Sequence, residues 1–198
     1  MTQRQILLAS SSTYRRQLLG KLAIDFDYAS PDIDESRLPG EAAQDLVLRL
    51  AKEKACKLTK SHNHRLIIGS DQVATIDDKI IGKPLNHEAA MAQLEAFSGR
   101  EVVFLTSLCL LNNQTGDCQL SLDTCGVKFR QLTKSQISAY LHKEQPYDCA
   151  GSFKSEGLGI ALFEAIHTED PNTLVGLPLI RLTSMLINEG VDPLSITS

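Results

Sequence analysis

Apolar and polar positions recur along the chain with the period of a strand in some segments and that of a helix in others, and these periods predict most of its secondary-structure elements. Short β-rich runs such as "QILLAS" and "DFDYAS" predict strands, and "SSTYRRQLLGKL", with leucines at helical spacing, predicts a helix capped by serine. "EAAQDLVLRLAKEKACKLTK" carries an apolar stripe and predicts a long amphipathic helix. Because the first strand runs directly into a capped helix, their connecting loop lies at a helix N-terminus, where anions bind readily.

The remaining pattern predicts hairpins and further helices. One hairpin is expected where "RLIIGSDQVATI" turns back into "KIIGKP", and a second where "NQTGD" joins "REVVFLTSLCLLN" to "CQLSLDTCGVKFRQL". Helices are expected in "NHEAAMAQLEAFSG", "TKSQISAYLHKE" and "GLPLIRLTSMLINEG", and a strand in "GLGIALFEAI". This order predicts an α/β protein with a mixed sheet and flanking helices. We expect one domain over residues 1–198, formed by two lobes around a cleft.

Composition narrows the class of protein. The chain has 198 residues, 42% hydrophobic and 22% charged, with a net charge of -4, which argues against a nucleic-acid binder but permits a small anionic ligand. Its five cysteines form no CxxC pair, which favours reduced thiols. No apolar run approaches the roughly 20 residues of a membrane span. We therefore expect a cytoplasmic protein whose partners include neither nucleic acid nor membrane.

Several charged residues stand where structure alone would favour another residue. Arg15 and Arg16 lie in the first turn of the first predicted helix, where a cation opposes the helix dipole unless an anion binds there. Asp71 directly follows the apolar run "LIIGS", where a carboxylate is costly unless it is paired, hydrogen-bonded or bound to metal. Glu35 and Lys54 have simpler alternatives, a solvated turn and an exposed helix lysine.

Two loops add further charged residues. Lys83 follows a predicted hairpin in "GKP", between a glycine and a proline. The loop "GSFKSEG" carries Lys154 and Glu156, whose side chains would share one face if the loop were extended. A carboxylate would repel phosphate, so this loop is a poor phosphate cradle and requires a different ligand group.

Taken in order, these stretches resemble the Maf family of nucleoside triphosphate pyrophosphatases over essentially the whole chain. The matching stretches are "LLASSSTYRRQLL", "PDIDE", "LAKEKA", "IIGSDQV", "GKPL", "CAGSFKSEG" and "DPNTLVGLPL". The resemblance implies an elongated α/β fold with a central cleft, akin to the inosine triphosphate pyrophosphatases. It also implies hydrolysis of a nucleoside triphosphate to the monophosphate and diphosphate with a divalent metal, Mg²⁺ or Mn²⁺, and a homodimer.

The resemblance also implies roles for individual residues. Arg15, Glu35, Lys54 and Lys83 match substrate-binding positions, and Asp71 matches the proton acceptor. These residue types suit the chemistry, because cleavage between the α- and β-phosphates needs neutralised oxygens and an activated water. Glu35 and Asp71 could also hold magnesium, which prefers oxygen ligands. A carboxylate beside a metal can orient or deprotonate water.

Three more positions resemble the branch of the family that hydrolyses 7-methyl-GTP. They are Tyr14, Gln72 and Glu156, where the branch acting on dTTP and UTP has arginine, threonine and glutamine. A carboxylate accepts hydrogen bonds from guanine N1–H and its amine, and the cationic methylated purine favours an aromatic face. The alternatives are a pyrophosphatase for another base, such as dTTP/UTP or another modified nucleotide, and a regulator that binds nucleotide without turnover.

Overall fold

The computed structural model describes residues 5–61, 65–77 and 79–195. Within these residues the elements, in chain order, are β1 (Gln5–Ala9), α1 (Thr13–Gly20), β2 (Phe26–Ala29), α2 (Ala43–Lys57), β3 (Arg65–Ile76), β4 (Lys79–Ile81), α3 (His87–Phe97), β5 (Glu101–Asn112), β6 (Cys118–Phe129), α4 (Lys134–Glu144), β7 (Phe163–Thr168) and α5 (Leu179–Asn188). No helix in this described part of the chain is long and apolar enough to cross a membrane.

Within the described residues the strands form one seven-stranded mixed sheet in the order β2-β1-β3-β5-β6-β7, with β4 paired to β3. β1 runs parallel to both β2 and β3, so that Ile6 lies opposite Phe26 on one side and Leu66 on the other. The pairs β3–β4 and β6–β7 are antiparallel. The predicted α/β class with a mixed sheet is confirmed.

The part of the chain that the structure describes divides into two compact units. The first contains the described parts of Met1–Asp71, Thr106–Asp123 and Asp170–Ser198, and the second contains those of Gln72–Leu105 and Thr124–Glu169. The catalytic and substrate-binding positions predicted from the sequence are distributed over both units.

The first unit buries residues 6–9 of β1 on both faces, which explains why this run is continuously apolar. Ile6 and Leu8 pack in one cluster with residues of α1 and α5. Leu7 and Ala9 pack in another cluster, with residues of α2. Side chains alternate across a strand, so a single five-residue strand contributes to both cores.

The second unit contains a cluster of aromatic rings. Their centroids lie 4.8–5.8 Å apart in tilted or edge-to-face pairs, an arrangement that aromatic rings favour. The rings are those of Phe97, Phe104, Phe129, Phe153 and Phe163. Phe153 belongs to the loop "GSFKSEG", so this loop is anchored in the core of its unit.

The predicted strand in "GLGIALFEAI" is wrong in its first half. Leu158–Leu162 form a 3-10 helix, and β7 begins only at Phe163. The turn is closed by short-range bonds in which Gly157 N–H donates to the Lys154 carbonyl and Ile160 N–H to the Gly157 carbonyl. A Cβ at Gly159 would lie 2.2 Å from the Lys154 carbonyl oxygen, so glycine permits this close turn.

Candidate active site

Lys54 lies between two carboxylates in the first unit. Its Nζ is 2.6 Å from Asp71 Oδ1 and 2.8 Å from Glu35 Oε1. The Lys54 and Asp71 side chains are only 6% and 10% exposed, whereas Glu35 is 59% exposed. The alternative interpretation of Lys54 as an exposed helix lysine is therefore wrong, and Glu35 is paired rather than merely solvated.

A close approach of α2 to β3 brings Lys54 to Asp71. Gly69 makes this approach possible, because a Cβ at that position would lie 2.0 Å from the Ala51 carbonyl oxygen. Lys54 follows Ala51 by one turn of α2, and Asp71 follows Gly69 by two residues on β3. Glycine at position 69 thus helps to set the distance between the ammonium and carboxylate groups.

Ser107 on β5 connects the same two elements and was missed by the sequence analysis. Its buried hydroxyl donates to the Val47 carbonyl of α2 over 2.6 Å and accepts the Asp71 N–H over 3.2 Å. The backbone of Asp71 is therefore fixed as well as its side chain. The signal in the sequence was the polar pair Thr106 and Ser107 inside the apolar run of "REVVFLTSLCLLN".

Arg15 belongs to the same charged group. Its Nε donates to the Gly176 carbonyl over 2.8 Å, and Ser70 Oγ donates to that carbonyl over 3.0 Å. Burial lowers the pKa of Arg15, and the carboxylates of Asp71 and Glu35 oppose this shift. The guanidinium is thus held by neutral contacts within the electrostatic range of both acids.

The neighbours of Arg15 on α1 have different surroundings. Ser12 caps the helix by accepting the Arg15 N–H, as predicted for this serine-rich loop. Tyr14 is half-buried beside it. The Arg16 guanidinium lies 4.2 Å from the centre of the Tyr28 ring on β2, a cation–π contact. This contact gives Arg16 a packing role apart from any bound anion.

The stretch "DPNTLVGLPL" forms the support under Arg15, a role that its sequence did not reveal. Asp170 is buried, and its Oδ2 accepts the Ile180 N–H at the start of α5 while Oδ1 accepts the Asn172 N–H. The loop then reaches Gly176, whose φ of 106° favours glycine and whose carbonyl receives Arg15. This role depends on hydrogen bonds to residues far away in the sequence.

A second ion pair holds the loop that carries Glu35. Arg49 on α2 donates through Nε and a terminal nitrogen to the two oxygens of Glu41, over 2.6 and 2.9 Å. The same terminal nitrogen donates to the Ser36 carbonyl, beside Glu35. The bond from Arg49 lowers the pKa of Glu41 to about 2. Arg49 thereby ties the Glu35 loop to the helix that supplies Lys54.

Three of the predicted site residues, Gln72, Lys83 and Glu156, lie in the second unit. Gln72 follows Asp71 on β3 and is half-buried, while Lys83 and Glu156 are exposed. The loop "GSFKSEG" is a series of turns, so Lys154 does not share a strand face with Glu156. Instead, Lys154 Nζ donates to the Glu144 carbonyl over 3.2 Å, at the end of α4.

Within the first unit, the structure brings together Arg15, Glu35, Lys54 and Asp71. Among the described residues there is no group of three or more His, Cys, Asp or Glu side chains that could hold a metal ion by themselves. The arrangement therefore provides paired acids and cations, with fewer protein ligands than a closed metal site requires.

Comparison with solved structures defines the fold. The structure of the Staphylococcus aureus Ham1 protein matches with a TM-score of 0.50 and 14% sequence identity, covering 93% of this chain and 99% of the other. At this identity the similarity concerns the fold alone.

Comparison of sequences defines the family. The Maf-like protein family model matches residues 5–189, and the chain belongs to the Maf family. It is 58% identical to the 7-methyl-GTP pyrophosphatase of Pseudomonas syringae pv. syringae over 94% of this chain and 97% of the relative. It is also 58% identical to that of Alcanivorax borkumensis, over 94% and 95%. The family predicted from the ordered motifs is confirmed.

Proposed function

We propose that this protein hydrolyses 7-methyl-GTP to 7-methyl-GMP and diphosphate. The observation that carries the proposal is the identity of 58%, over 94% of the chain, to relatives named 7-methyl-GTP pyrophosphatase. Glu156 and Tyr14 support the base preference, since an exposed carboxylate and an aromatic ring suit a cationic purine. Gln72 is the third position proposed to set this preference.

Asp71 is the proposed proton acceptor. Lys54 contacts Asp71 through Oδ1, and Ser107 fixes its backbone, so the carboxylate is oriented before the substrate binds. In the proposed reaction a water oxygen bonds to the α-phosphorus, and the bond from that phosphorus to the bridging oxygen breaks. The diphosphate leaves with the electron pair, and Asp71 takes the proton of the water.

Positive charge for the triphosphate is proposed to come from Arg15, Lys54 and Lys83. The Arg15 guanidinium is held at Nε by Gly176, which orients its other nitrogens. Lys54 is held by two carboxylates, so its contribution is linked to theirs. The Lys83 side chain is exposed, so it can turn to contact the phosphates when the substrate is bound.

The carboxylates of Glu35 and Asp71 fit a magnesium or manganese ion that would also be bound by phosphate oxygens of the substrate. Each carboxylate contacts Lys54 through one of its two oxygens. Magnesium is commonly bound through one or two carboxylates together with substrate phosphates and waters, so a pair of acids suffices. When bound, the ion would neutralise charge on the phosphate oxygens. A homodimer and a cytoplasmic location stay predictions.

Release of diphosphate from a panel of nucleotides tests the proposal. We expect hydrolysis of 7-methyl-GTP with magnesium, at a higher kcat/KM than for GTP, dTTP or UTP, and loss of activity on chelation. A preference for dTTP or UTP would refute the proposed base preference but would still support the proposed pyrophosphatase reaction. Binding of 7-methyl-GTP without release of diphosphate would instead support a nucleotide-sensing regulator.

A further inference from the structure

Gln93 on α3 contacts both loops of the second unit that carry the proposed substrate-binding residues. Its Nε2 donates to the Gly82 carbonyl over 3.1 Å, and its Oε1 accepts from Ser152 Oγ over 2.5 Å. Gly82 immediately precedes Lys83, and Ser152 lies in the loop that continues to Glu156. A carbonyl only accepts, so Nε2 must face Gly82, and the orientation of the amide is determined.

The contact with Ser152 occurs where the loop has little freedom. Gly151 and Ser152 both have left-handed backbone angles, with φ of 78° and 62°. Such an angle is uncommon for serine and is maintained by its surroundings. Ser152 is fully buried, so its hydroxyl requires a partner, which Gln93 provides.

The residues between Ser152 and Glu156 are also held in place. Phe153 packs edge-to-face against Phe163 with centroids 4.8 Å apart, and the Lys154 N–H donates to the Tyr140 hydroxyl over 3.0 Å. Glu156 follows two residues later and is exposed. The carboxylate therefore extends from a backbone that is anchored on three successive residues.

We propose that Gln93 is a positioning residue that holds both the segment that carries Lys83, which binds the phosphates, and the loop that carries Glu156, which recognises the base. The inference rests on the proposed function, since it takes the roles of these two residues from there. The contact with the Gly82 carbonyl would then place Lys83 for every nucleotide, whereas the contact with Ser152 would place Glu156 for the base.

Loss of Gln93 should not unfold the unit, because a second connection joins the same segments. The Leu85 N–H donates to the Tyr147 carbonyl over 3.0 Å, and the Tyr147 hydroxyl lies 3.0 Å from His87 Nδ1. Effects of Gln93 variants on activity can therefore be measured on folded protein.

Two variants separate the two halves of the connection. Gln93→Glu keeps an oxygen that accepts from Ser152 but places a second oxygen against the Gly82 carbonyl. We expect kcat/KM to fall about two- to tenfold on every nucleotide, with the preference for 7-methyl-GTP over GTP and UTP retained. Ser152→Ala removes only the contact on the Glu156 side. We expect that preference to fall about two- to tenfold while the rate on UTP is unchanged.

Ala92→Glu is the control for added charge, because Ala92 is exposed on the same helix. Urea unfolding of all variants checks that they fold equally well. If both Gln93→Glu and Ser152→Ala match the wild type, or alter rate and preference alike, the inference is overturned. A wild-type protein that cleaves no nucleoside triphosphate overturns the proposed function, and the inference with it.

Discussion

The charged residues proposed for the site differ between the two units in their burial and in their partners. In the first unit Lys54 and Asp71 are buried, and each has an ionic partner inside the unit. In the second unit Lys83 and Glu156 are exposed, and neutral hydrogen bonds and aromatic packing hold the backbone beside them. Buried charges cost desolvation and require exact partners, whereas exposed charges add little to stability.

This difference suggests a division of labour. A buried and mutually paired group has one geometry, which suits the bond-breaking step that is common to all substrates. Exposed side chains on an anchored backbone can be exchanged at little cost to folding, which suits the choice of base. Substitutions of the buried pair in the first unit should therefore affect turnover and stability together, whereas substitutions of the exposed side chains in the second unit should change turnover or preference with little effect on stability.

Asp71→Asn should have the largest effect. We expect kcat to fall about 10²- to 10⁴-fold on every nucleotide, because the amide is a poor proton acceptor. The fold should be retained, since Glu35 still pairs with Lys54. Diphosphate release measures the first effect and urea unfolding the second. Asp77→Asn, which changes an exposed acid paired with Arg100, is the control. Wild-type turnover in Asp71→Asn would exclude Asp71 from the mechanism.

A matched pair of lysine variants tests the contrast in burial. Lys54→Met leaves Asp71 buried without its ionic partner, and we expect a loss of about 3–5 kcal/mol in the free energy of unfolding. Lys83→Met should change this free energy by less than about 0.5 kcal/mol, because Lys83 is exposed. Both should slow hydrolysis. If both substitutions lowered the free energy of unfolding equally, the difference in burial between Lys54 and Lys83 would have no effect on stability.

The elements that the sequence predicts well are those decided by local periodicity. The helix expected in "EAAQDLVLRLAKEKACKLTK" is α2, and "TKSQISAYLHKE" is α4, capped by Thr133 with the reciprocal bond from Gln136. Apolar spacing and caps act within a few residues, so they are visible in the sequence. The start of "GLGIALFEAI" was wrong because its two glycines favour a close turn, which the apolar pattern does not register.

The site was predicted less completely, because its contacts join distant positions. Gly69 lets α2, which carries Lys54, approach β3 closely, and no pattern around Lys54 reveals this approach. Ser107 and Gly176 act through bonds to Val47, Asp71 and Arg15, far from them along the chain. The family resemblance supplied the charged residues, and the structure added the neutral groups that orient them.

A double substitution tests the proposed base recognition. Glu156→Gln with Tyr14→Arg should reduce the preference for 7-methyl-GTP over UTP about 30-fold to several thousand-fold. The loss combines a charge-assisted pair of hydrogen bonds of roughly 1.5–3 kcal/mol and a cation–π contact of about 0.5–2 kcal/mol. Ratios of kcat/KM measure the change, and Glu164→Gln, an exposed acid on β7, is the control. An unchanged ratio would remove both residues from base recognition.

The smallest effect is expected from a pair of glycine variants, one in each unit. A Cβ at Gly69 would lie 2.0 Å from the Ala51 carbonyl oxygen, whereas a Cβ at Gly82 has nothing within 4 Å. Gly69→Ala must therefore push α2 away from β3, and we expect a loss of about 1–3 kcal/mol in the free energy of unfolding. Gly82→Ala should change it by less than about 0.5 kcal/mol.

The displacement of α2 should also affect catalysis, because Lys54 lies one turn beyond Ala51 on this helix. Its ammonium would move relative to Asp71, so kcat should fall on all nucleotides while the order of base preference is kept. Urea unfolding and kcat for 7-methyl-GTP and UTP give both readouts. If Gly69→Ala lost stability but kept full turnover, the spacing between α2 and β3 would serve folding alone, and the buried pair would tolerate more movement than its geometry implies.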